Sequence, residues 1–271
     1  MTARFLAAFV LAGLVHAGLA AAPARAADAF STDWANTSKS QARLIAGGPR
    51  AAGFEIRLAP GAITYWRDPG DSGAPPVFDF SGSVNLARAD ARYPAPERIA
   101  EPDGSEAFGY RGAVVFPITV EPVDPAKPVT LALKAGYAVC ETICLPAKAD
   151  LTLSLPPGAS TPYTSAIGAA RALTPRPVAW NTLGGELASV DAKDWRLCVP
   201  AQSGPARDLF LETPSGWWLS AKAEPSAAGR DCFSIVLREK PAGANLPVSA
   251  RATIIGGAGA LDVTLALGPN S

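Results

Sequence analysis

The sequence predicts an all-β protein built from two β-sandwich domains, which are joined by a linker that contains a short helix. The 25 glycines and 26 prolines of the 271-residue chain are spread along it and separate short runs of β-branched and aromatic residues. Short runs with frequent turns are typical of β-sandwiches. Several runs alternate apolar and polar residues, which indicates strands with one face on a core and one face in water. A stretch of different character, residues 156–177, separates the two sets of runs.

The N-terminal residues 1–26 have the features of a secretory signal peptide. Arg4 supplies the positive start, residues 5–22 are apolar, and Ala24-Arg25-Ala26 is a small-x-small cleavage site. A membrane anchor is the alternative, but it agrees less well with the Ala and Gly content of the run and with the cleavage signal. No later stretch reaches the roughly 18 apolar residues that span a bilayer. We therefore expect a soluble, exported product that does not span the membrane after signal cleavage, in a compartment that permits disulfides.

Charge and composition exclude several classes of function. Removing Arg4 and Arg25 from the 24 basic residues leaves 22, against 24 acidic ones, so nucleic acid is not expected as a partner. The single histidine, His16, and the single methionine, Met1, both lie in the signal peptide. A mature chain without imidazole has no histidine-based metal site and no Ser-His-Asp or Cys-His nucleophile, and we expect no bound metal.

Residues 28–158 are predicted to form the first sandwich. Leu151, Leu153 and Leu155 recur at every second position, as in a strand with one buried face. Pro156-Pro157-Gly158 then ends this set of strands. The predicted strands cover residues 41–46, 53–58, 63–67, 77–80, 84–89, 98–100, 112–120, 129–139 and 149–155.

Residues 159–177 are predicted to form the helical linker. Ser160 or Thr161 can cap a helix that has Pro162 in its first turn. The apolar residues that follow have helical spacing; they are Tyr163, Ile167, Ala170 and Leu173. Two prolines, Pro175 and Pro177, end the helix.

Residues 178–271 are predicted to form the second sandwich. Their length is close to that of an ordinary sandwich domain. The predicted strands cover residues 185–190, 195–199, 209–213, 217–219, 232–237, 248–255 and 260–267.

Cys140 and Cys144 lie between two β-patterned runs. A disulfide needs Cα atoms within about 7 Å, which a tight loop between antiparallel strands provides. Thiols without imidazole point to thiol–disulfide exchange, in which a thiolate attacks and no histidine base is required. A bridge over so short a loop stabilises by about 2 kcal/mol, against about 4 kcal/mol for the loop between Cys198 and Cys232. The short bridge is the poorer staple and so a candidate redox element, but the spacing agrees equally well with an inert disulfide at a hairpin tip.

Cys198 and Cys232 each lie in a predicted strand of the second domain with apolar residues on either side. In an exported protein this favours a structural disulfide between neighbouring strands or sheets. A zinc site made of all four cysteines lacks the paired short spacings that such sites have.

Three segments of the first domain carry a resemblance to a known family. They are the loop Thr64-Tyr-Trp-Arg-Asp-Pro-Gly-Asp-Ser-Gly-Ala-Pro-Pro76, the segment Tyr93–Ile99 followed by Gly109-Tyr110, and the cysteine segment Cys140–Pro146. Together they cover roughly residues 40–155. This region resembles the N-terminal periplasmic domain of the thiol:disulfide interchange protein DsbD, and within that family the branch of ScsB, which is linked to copper tolerance.

The resemblance implies two immunoglobulin-like β-sandwich domains and a redox-active disulfide in the first. It implies that Cys144 is the exchanging sulfur and Cys140 the resolving one. Tyr65, Trp66 and Asp68 become candidates for a cap that shields the bridge; core packing is the alternative for the two aromatic residues.

The resemblance also implies a periplasmic protein that passes reducing equivalents to or from thioredoxin-like proteins. DsbD carries a membrane electron carrier and a thioredoxin-like domain, and we expect a separate membrane carrier to serve this chain. No cofactor beyond the dithiol is expected. Two alternatives remain open: a non-catalytic binding or assembly module with an inert disulfide, and a copper-tolerance protein whose reduced dithiol binds Cu(I).

Overall fold

The computed structural model describes residues 28–158, 160–201, 207–226, 229–257 and 259–269. Within these residues the chain forms two β-sandwiches, each made of two sheets. The predicted all-β, immunoglobulin-like fold class is therefore confirmed. The predicted signal peptide, residues 1–26, lies outside the described residues.

The strands of the first sandwich are β1 (Ala35–Asn36), β2 (Ser40–Gly48), β3 (Ala51–Leu58), β4 (Ile63–Gly70), β5 (Val77–Asp79), β6 (Leu86–Ala91), β7 (Glu97–Ala100), β8 (Glu106–Arg111), β9 (Ala113–Pro122), β10 (Thr130–Cys140) and β11 (Cys144–Ser154). One sheet has the order β1-β2-β3-β9-β6, and the other has the order β11-β10-β4-β8-β7 with β5 also paired to β10.

The core of the first sandwich lies between these two sheets. Alternate residues of β10, from Leu131 to Val139, are buried against it, as the pleat of a strand requires. Phe54 and Phe116 from the facing sheet complete its centre, with 6.3 Å between their ring centroids.

The predicted linker helix is present as α1 (Thr164–Ala172). It packs on the first sandwich through Ile167 and Ala170, which are buried. The helix begins after Tyr163, whose side chain makes no capping hydrogen bond. In the turn before the helix, the Thr161 hydroxyl accepts the N–H of Tyr163 and donates to the Ala46 carbonyl.

The second sandwich and its approach contain β12 (Arg176–Pro177), α2 (Trp180–Leu183), β13 (Glu186–Ser189), β14 (Asp194–Pro200), β15 (Asp208–Glu212), β16 (Trp218–Ala223), β17 (Arg230–Glu239), β18 (Val248–Gly256) and β19 (Gly259–Leu267). Its sheets have the orders β12-β19-β18-β15 and β13-β14-β17-β16. Trp195 lies in its core and donates its indole N–H to the Gly268 carbonyl at 2.8 Å. The described part of the chain contains no helix with the length and apolar character needed to cross a membrane.

The two sandwiches share apolar core at β15. Leu209 and Leu211 pack into the second core, whereas Phe210 between them packs into the first. The Phe210 ring contacts Trp66 and Phe108, with centroid distances of 5.8 and 4.8 Å. One strand thus supplies residues to both cores because its side chains alternate in direction.

Arginines of the first sandwich bind carboxylates of the second beside this contact. The Arg67 guanidinium donates to Glu212 at 2.7 Å, to Thr253 at 3.1 Å and to Asp262 at 3.2 Å. Burial alone lowers the pKa of Arg67, but the hydrogen bonds and charges of Glu212 and Asp262 outweigh it, and the pKa is raised. Arg98 binds Asp208 in the same way, at 2.8 Å.

Candidate redox site

The disulfide Cys140–Cys144 closes a hairpin between β10 and β11. Cys140 ends β10 and Cys144 begins β11, and the two residues are direct partners in the antiparallel ladder. Their Cα atoms are 4.0 Å apart, and the S–S bond is 2.01 Å long. The three turn residues between them, Glu141 to Ile143, are exposed.

The two cysteines of this bridge differ in exposure. Cys140 is 3% exposed, whereas Cys144 is an exposed residue. The sheet order gives the reason: β10 is flanked on both sides and Cys140 also pairs with Ile63 of β4, while β11 is the last strand of its sheet. Cys144 is therefore the cysteine of the pair that lies at the protein surface.

Tyr65 on β4 reaches the bridge from the buried side. Its hydroxyl donates a hydrogen bond to Sγ of Cys140 at 2.9 Å and lies 3.6 Å from Sγ of Cys144. Ile99 and Ala107 join Tyr65 and Cys140 in a small apolar cluster on the outer face of the sheet. Trp66, the next residue, belongs to the main core together with Phe210.

Gly73 and Gly109 have no side chains, and this makes room for the Tyr65 ring and for β4. A Cβ atom at Gly73 would lie 2.1 Å from the Tyr65 ring, so the loop after β4 crosses directly over that ring. A Cβ atom at Gly109, the ladder partner of Tyr65, would lie 2.1 Å from the Thr64 carbonyl oxygen. The loop therefore covers Tyr65, and Tyr65 covers Cys140.

Burial of Tyr65 favours the protonated form of its hydroxyl. Burial raises the pKa of Tyr65, the charge of Glu101 raises it further, and hydrogen bonding with Ser72 offsets part of the rise. The Ser72 hydroxyl also donates to the Glu101 carboxylate at 2.6 Å. Beside the hairpin tip, Lys39 and Glu141 form an exposed ion pair at 2.6 Å.

Asp68 lies further along the same strand, at a groove between the two sandwiches. The groove is also lined by Arg98, Phe108, Trp217 and Trp218. The Asp68 carboxylate accepts the N–H of Gly70 at 3.1 Å. Burial raises the pKa of Asp68, an effect that this hydrogen bond only partly opposes.

The second disulfide joins Cys198 on β14 to Cys232 on β17. These residues are direct ladder partners with Cα atoms 4.1 Å apart. Both are buried, with 8% and 5% of their surfaces exposed, so neither sulfur has the access that Cys144 has. Within the described ranges, no group of three or more His, Cys, Asp or Glu side chains is arranged to hold a metal ion.

Several residues at the site were not singled out in the sequence. Gly73 lies in the segment that carries the family resemblance, and a glycine is a signal for a place where the backbone approaches another group closely. The sequence pattern around Ile63 and Ile99 predicts strands and gives no sign that these residues contact the disulfide. Lys39 is 102 positions from Glu141, and no local pattern connects the two.

Comparisons with known proteins agree with this geometry. Residues 34–156 match the family model described as Thiol:disulfide interchange protein DsbD, N-terminal. The crystal structure of the N-terminal periplasmic domain of ScsB from Proteus mirabilis is similar in fold, with a TM-score of 0.68 and 19% sequence identity, and covers 90% of this chain and 100% of that chain. A marsupial T cell receptor is 10% identical and covers 86% of this chain and 99% of its own. Its TM-score is 0.21, so the two folds are not similar. No curated protein sequence matches the chain.

Residues 34–156 form an immunoglobulin-like sandwich that carries a disulfide across a surface hairpin, and they match the N-terminal domain family of thiol:disulfide interchange proteins. Residues 34–156 are a DsbD N-terminal-like domain, and the fold of the two sandwiches together is ScsB-like. The resemblance seen in the sequence is thereby confirmed.

Proposed function

We propose that this chain is a periplasmic thiol–disulfide interchange protein that passes reducing equivalents through Cys140 and Cys144. The observation that carries the proposal is the asymmetry of the bridge, in which Cys144 is exposed and Cys140 is 3% exposed. A structural disulfide needs no exposed cysteine, whereas an exchange site needs one sulfur that a partner thiolate can reach.

The exchange begins at Cys144. A thiolate of a reduced dithiol partner attacks Sγ of Cys144, the Cys140–Cys144 bond breaks, and Cys140 leaves as the thiolate. The second thiol of the partner then attacks the partner's own sulfur in the mixed disulfide and releases Cys144. The partner dithiol is oxidised to a disulfide, and its two protons and two electrons end on Cys140 and Cys144.

The second half of the cycle reverses these steps on another protein. The Cys144 thiolate attacks the disulfide of an acceptor and forms a mixed disulfide. Cys140, whose Cα atom lies 4.0 Å from that of Cys144, then attacks Sγ of Cys144 and releases the reduced acceptor. This assigns Cys144 as the exchanging sulfur and Cys140 as the resolving one.

The partners and the compartment of this protein are inferred from the matched family and from the protein of similar fold. We propose thioredoxin-like proteins as partners and a separate membrane protein as the electron carrier, because the matched family is an interchange family and the ScsB domain of similar fold is periplasmic. The signal-peptide pattern of residues 1–26 supports export.

Trapping of the mixed disulfide tests the proposal. Cys140→Ala leaves Cys144 able to form a mixed disulfide but removes the resolving thiol, so covalent complexes with a reductant-sensitive bond accumulate in the periplasm. Cys144→Ala is the matched control and traps few or none, because the remaining Cys140 is buried. Equal trapping by both variants contradicts the assignment of the exchanging sulfur. No trapping by either, in a host that supplies the natural partner, favours the inert-bridge module.

A further inference from the structure

The hydroxyl of Tyr65 has a position that the exchange steps alone do not explain. It is fully buried and donates its hydrogen bond to Sγ of Cys140 at 2.9 Å, rather than to Sγ of Cys144 at 3.6 Å. When a partner attacks Cys144, the sulfur that departs with the electron pair is that of Cys140. The donor thus contacts the leaving sulfur.

A departing thiolate at Cys140 meets an unfavourable environment. Cys140 is 3% exposed and packs against Ile63, Ile99 and Ala107. Burial in apolar surroundings disfavours a thiolate, because the charge loses its hydration. The nearest ion pair at the hairpin, between Lys39 and Glu141, is exposed and neutral as a unit. A hydrogen bond within the cluster is therefore the local means of stabilising the developing charge.

We propose that Tyr65 is a catalytic residue of the bridge, whose hydroxyl stabilises the Cys140 thiolate and thereby fixes Cys140 as the leaving group. The inference rests on the proposed function for the identity of the attacked sulfur. Its bond changes are those of the exchange itself, and Tyr65 keeps its proton throughout.

The surroundings of Tyr65 support this role in two ways. Burial and the charge of Glu101 raise the pKa of Tyr65, so the hydroxyl stays a donor at neutral pH. The loop at Gly73 lies over the ring and holds it against the cluster, which fixes the hydroxyl at hydrogen-bond distance from the sulfur. A donor held in place before the reaction needs no reorganisation when the charge appears.

Reduction of the purified, oxidised chain by dithiothreitol tests this role without a protein partner. Tyr65→Phe removes only the hydroxyl, and we expect the Cys140–Cys144 bond to open about 3- to 10-fold more slowly, as for loss of a hydrogen bond to a partly charged sulfur. Tyr137→Phe is the matched control. Tyr137 is also buried, but its hydroxyl contacts Ser40 at 2.9 Å on the core side of the sheet, and its loss leaves the rate unchanged.

A second measurement separates this role from a structural one. In the Cys144→Ala background Cys140 is a single thiol, and its thiolate absorbance is followed against pH. Adding Tyr65→Phe raises the midpoint of the Cys140 titration by about one pH unit or more. Among the described residues, Glu101 lies near Tyr65, and Lys39 and Glu141 lie beside the hairpin tip; the substitution leaves all three in place.

A third variant strengthens the hydrogen bond instead of removing it. Replacing Tyr65 with 3-fluorotyrosine, a stronger donor of nearly the same shape, speeds the reduction of the Cys140–Cys144 bond by dithiothreitol.

The outcomes distinguish the two proposals. Unchanged reduction rates and an unchanged midpoint in Tyr65→Phe overturn the role of Tyr65, even if Cys140→Ala traps partners. If trapping fails while Tyr65→Phe slows reduction, the role of Tyr65 at the bridge stands and the exchange function falls. If Tyr65→Phe does not fold, as shown by its melting curve, the 3-fluorotyrosine protein decides, and equal rates in it overturn the proposal.

Discussion

Phe210, a residue of the second sandwich, packs edge-on against Trp66 of the first, with 5.8 Å between the ring centroids. Trp66 follows Tyr65 directly in β4, and Tyr65 is hydrogen-bonded to the disulfide. The ladder between β4 and β8 is irregular between Tyr65 and Gly70, as at a β-bulge. A bulge redirects side chains, and here the irregular stretch contains the residues that reach the second sandwich. β4 is thus anchored on both sandwiches.

Substitution of Phe210 tests whether the two sandwiches unfold together. Phe210→Ala is expected to lower the free energy of unfolding by about 3–5 kcal/mol, the usual cost of a buried Phe-to-Ala change. Because the ring belongs to the core of the first sandwich, that sandwich should lose stability although the substitution lies in the second. Urea unfolding followed by hydrogen exchange of both sandwiches measures this.

Trp218→Ala is the matched control for that experiment. Trp218 is also a large aromatic residue of the second sandwich, but 46% of its surface is exposed, so its removal costs far less. Loss of stability confined to the second sandwich in Phe210→Ala contradicts a shared core.

The two disulfides should open at different redox potentials. Cys144 is exposed, whereas Cys198 and Cys232 are both buried, and the long loop of the second bridge also favours its oxidised form. In a titration with a glutathione couple, followed by alkylation and mass spectrometry, Cys140–Cys144 opens well before Cys198–Cys232. Simultaneous opening, or the reverse order, is incompatible with a redox role for the first bridge and a structural role for the second.

Removal of the second bridge tests its structural role directly. The double variant Cys198→Ala with Cys232→Ala is expected to lose about 2–5 kcal/mol of stability, as for a native bridge in a small exported domain. The disulfide joins adjacent strands far from the hairpin in sequence, so exchange at Cys144 should persist. An unchanged melting temperature of the second sandwich shows that these cysteines are not a structural pair.

Much of the fold was readable from local pattern, with clear exceptions. Strands with regular alternation, such as β10 and β19, were predicted close to their observed bounds. β8 (Glu106–Arg111) was missed, because Gly109 interrupts its apolar run and the strand is specified by close packing on Thr64. β11 begins five residues before its predicted start, since its first residues are held by pairing with β10 and not by an apolar pattern.

The sequence by itself determined the all-β class, the linker helix, the family of the first domain and the presence of two cysteine pairs. These properties depend on composition, on periodicities of 2 and 3.6 residues, and on contiguous motifs, all of which are local. Only the tertiary structure decided which cysteine of the first pair is exposed, because the burial of Cys140 comes from Ile63 and Tyr65 on another strand. It also decided that Tyr65 contacts the disulfide, whereas Trp66, the next residue in the sequence, contacts Phe210. These two contacts join residues 75 and 144 positions apart, and no pattern along the chain encodes their distance in space.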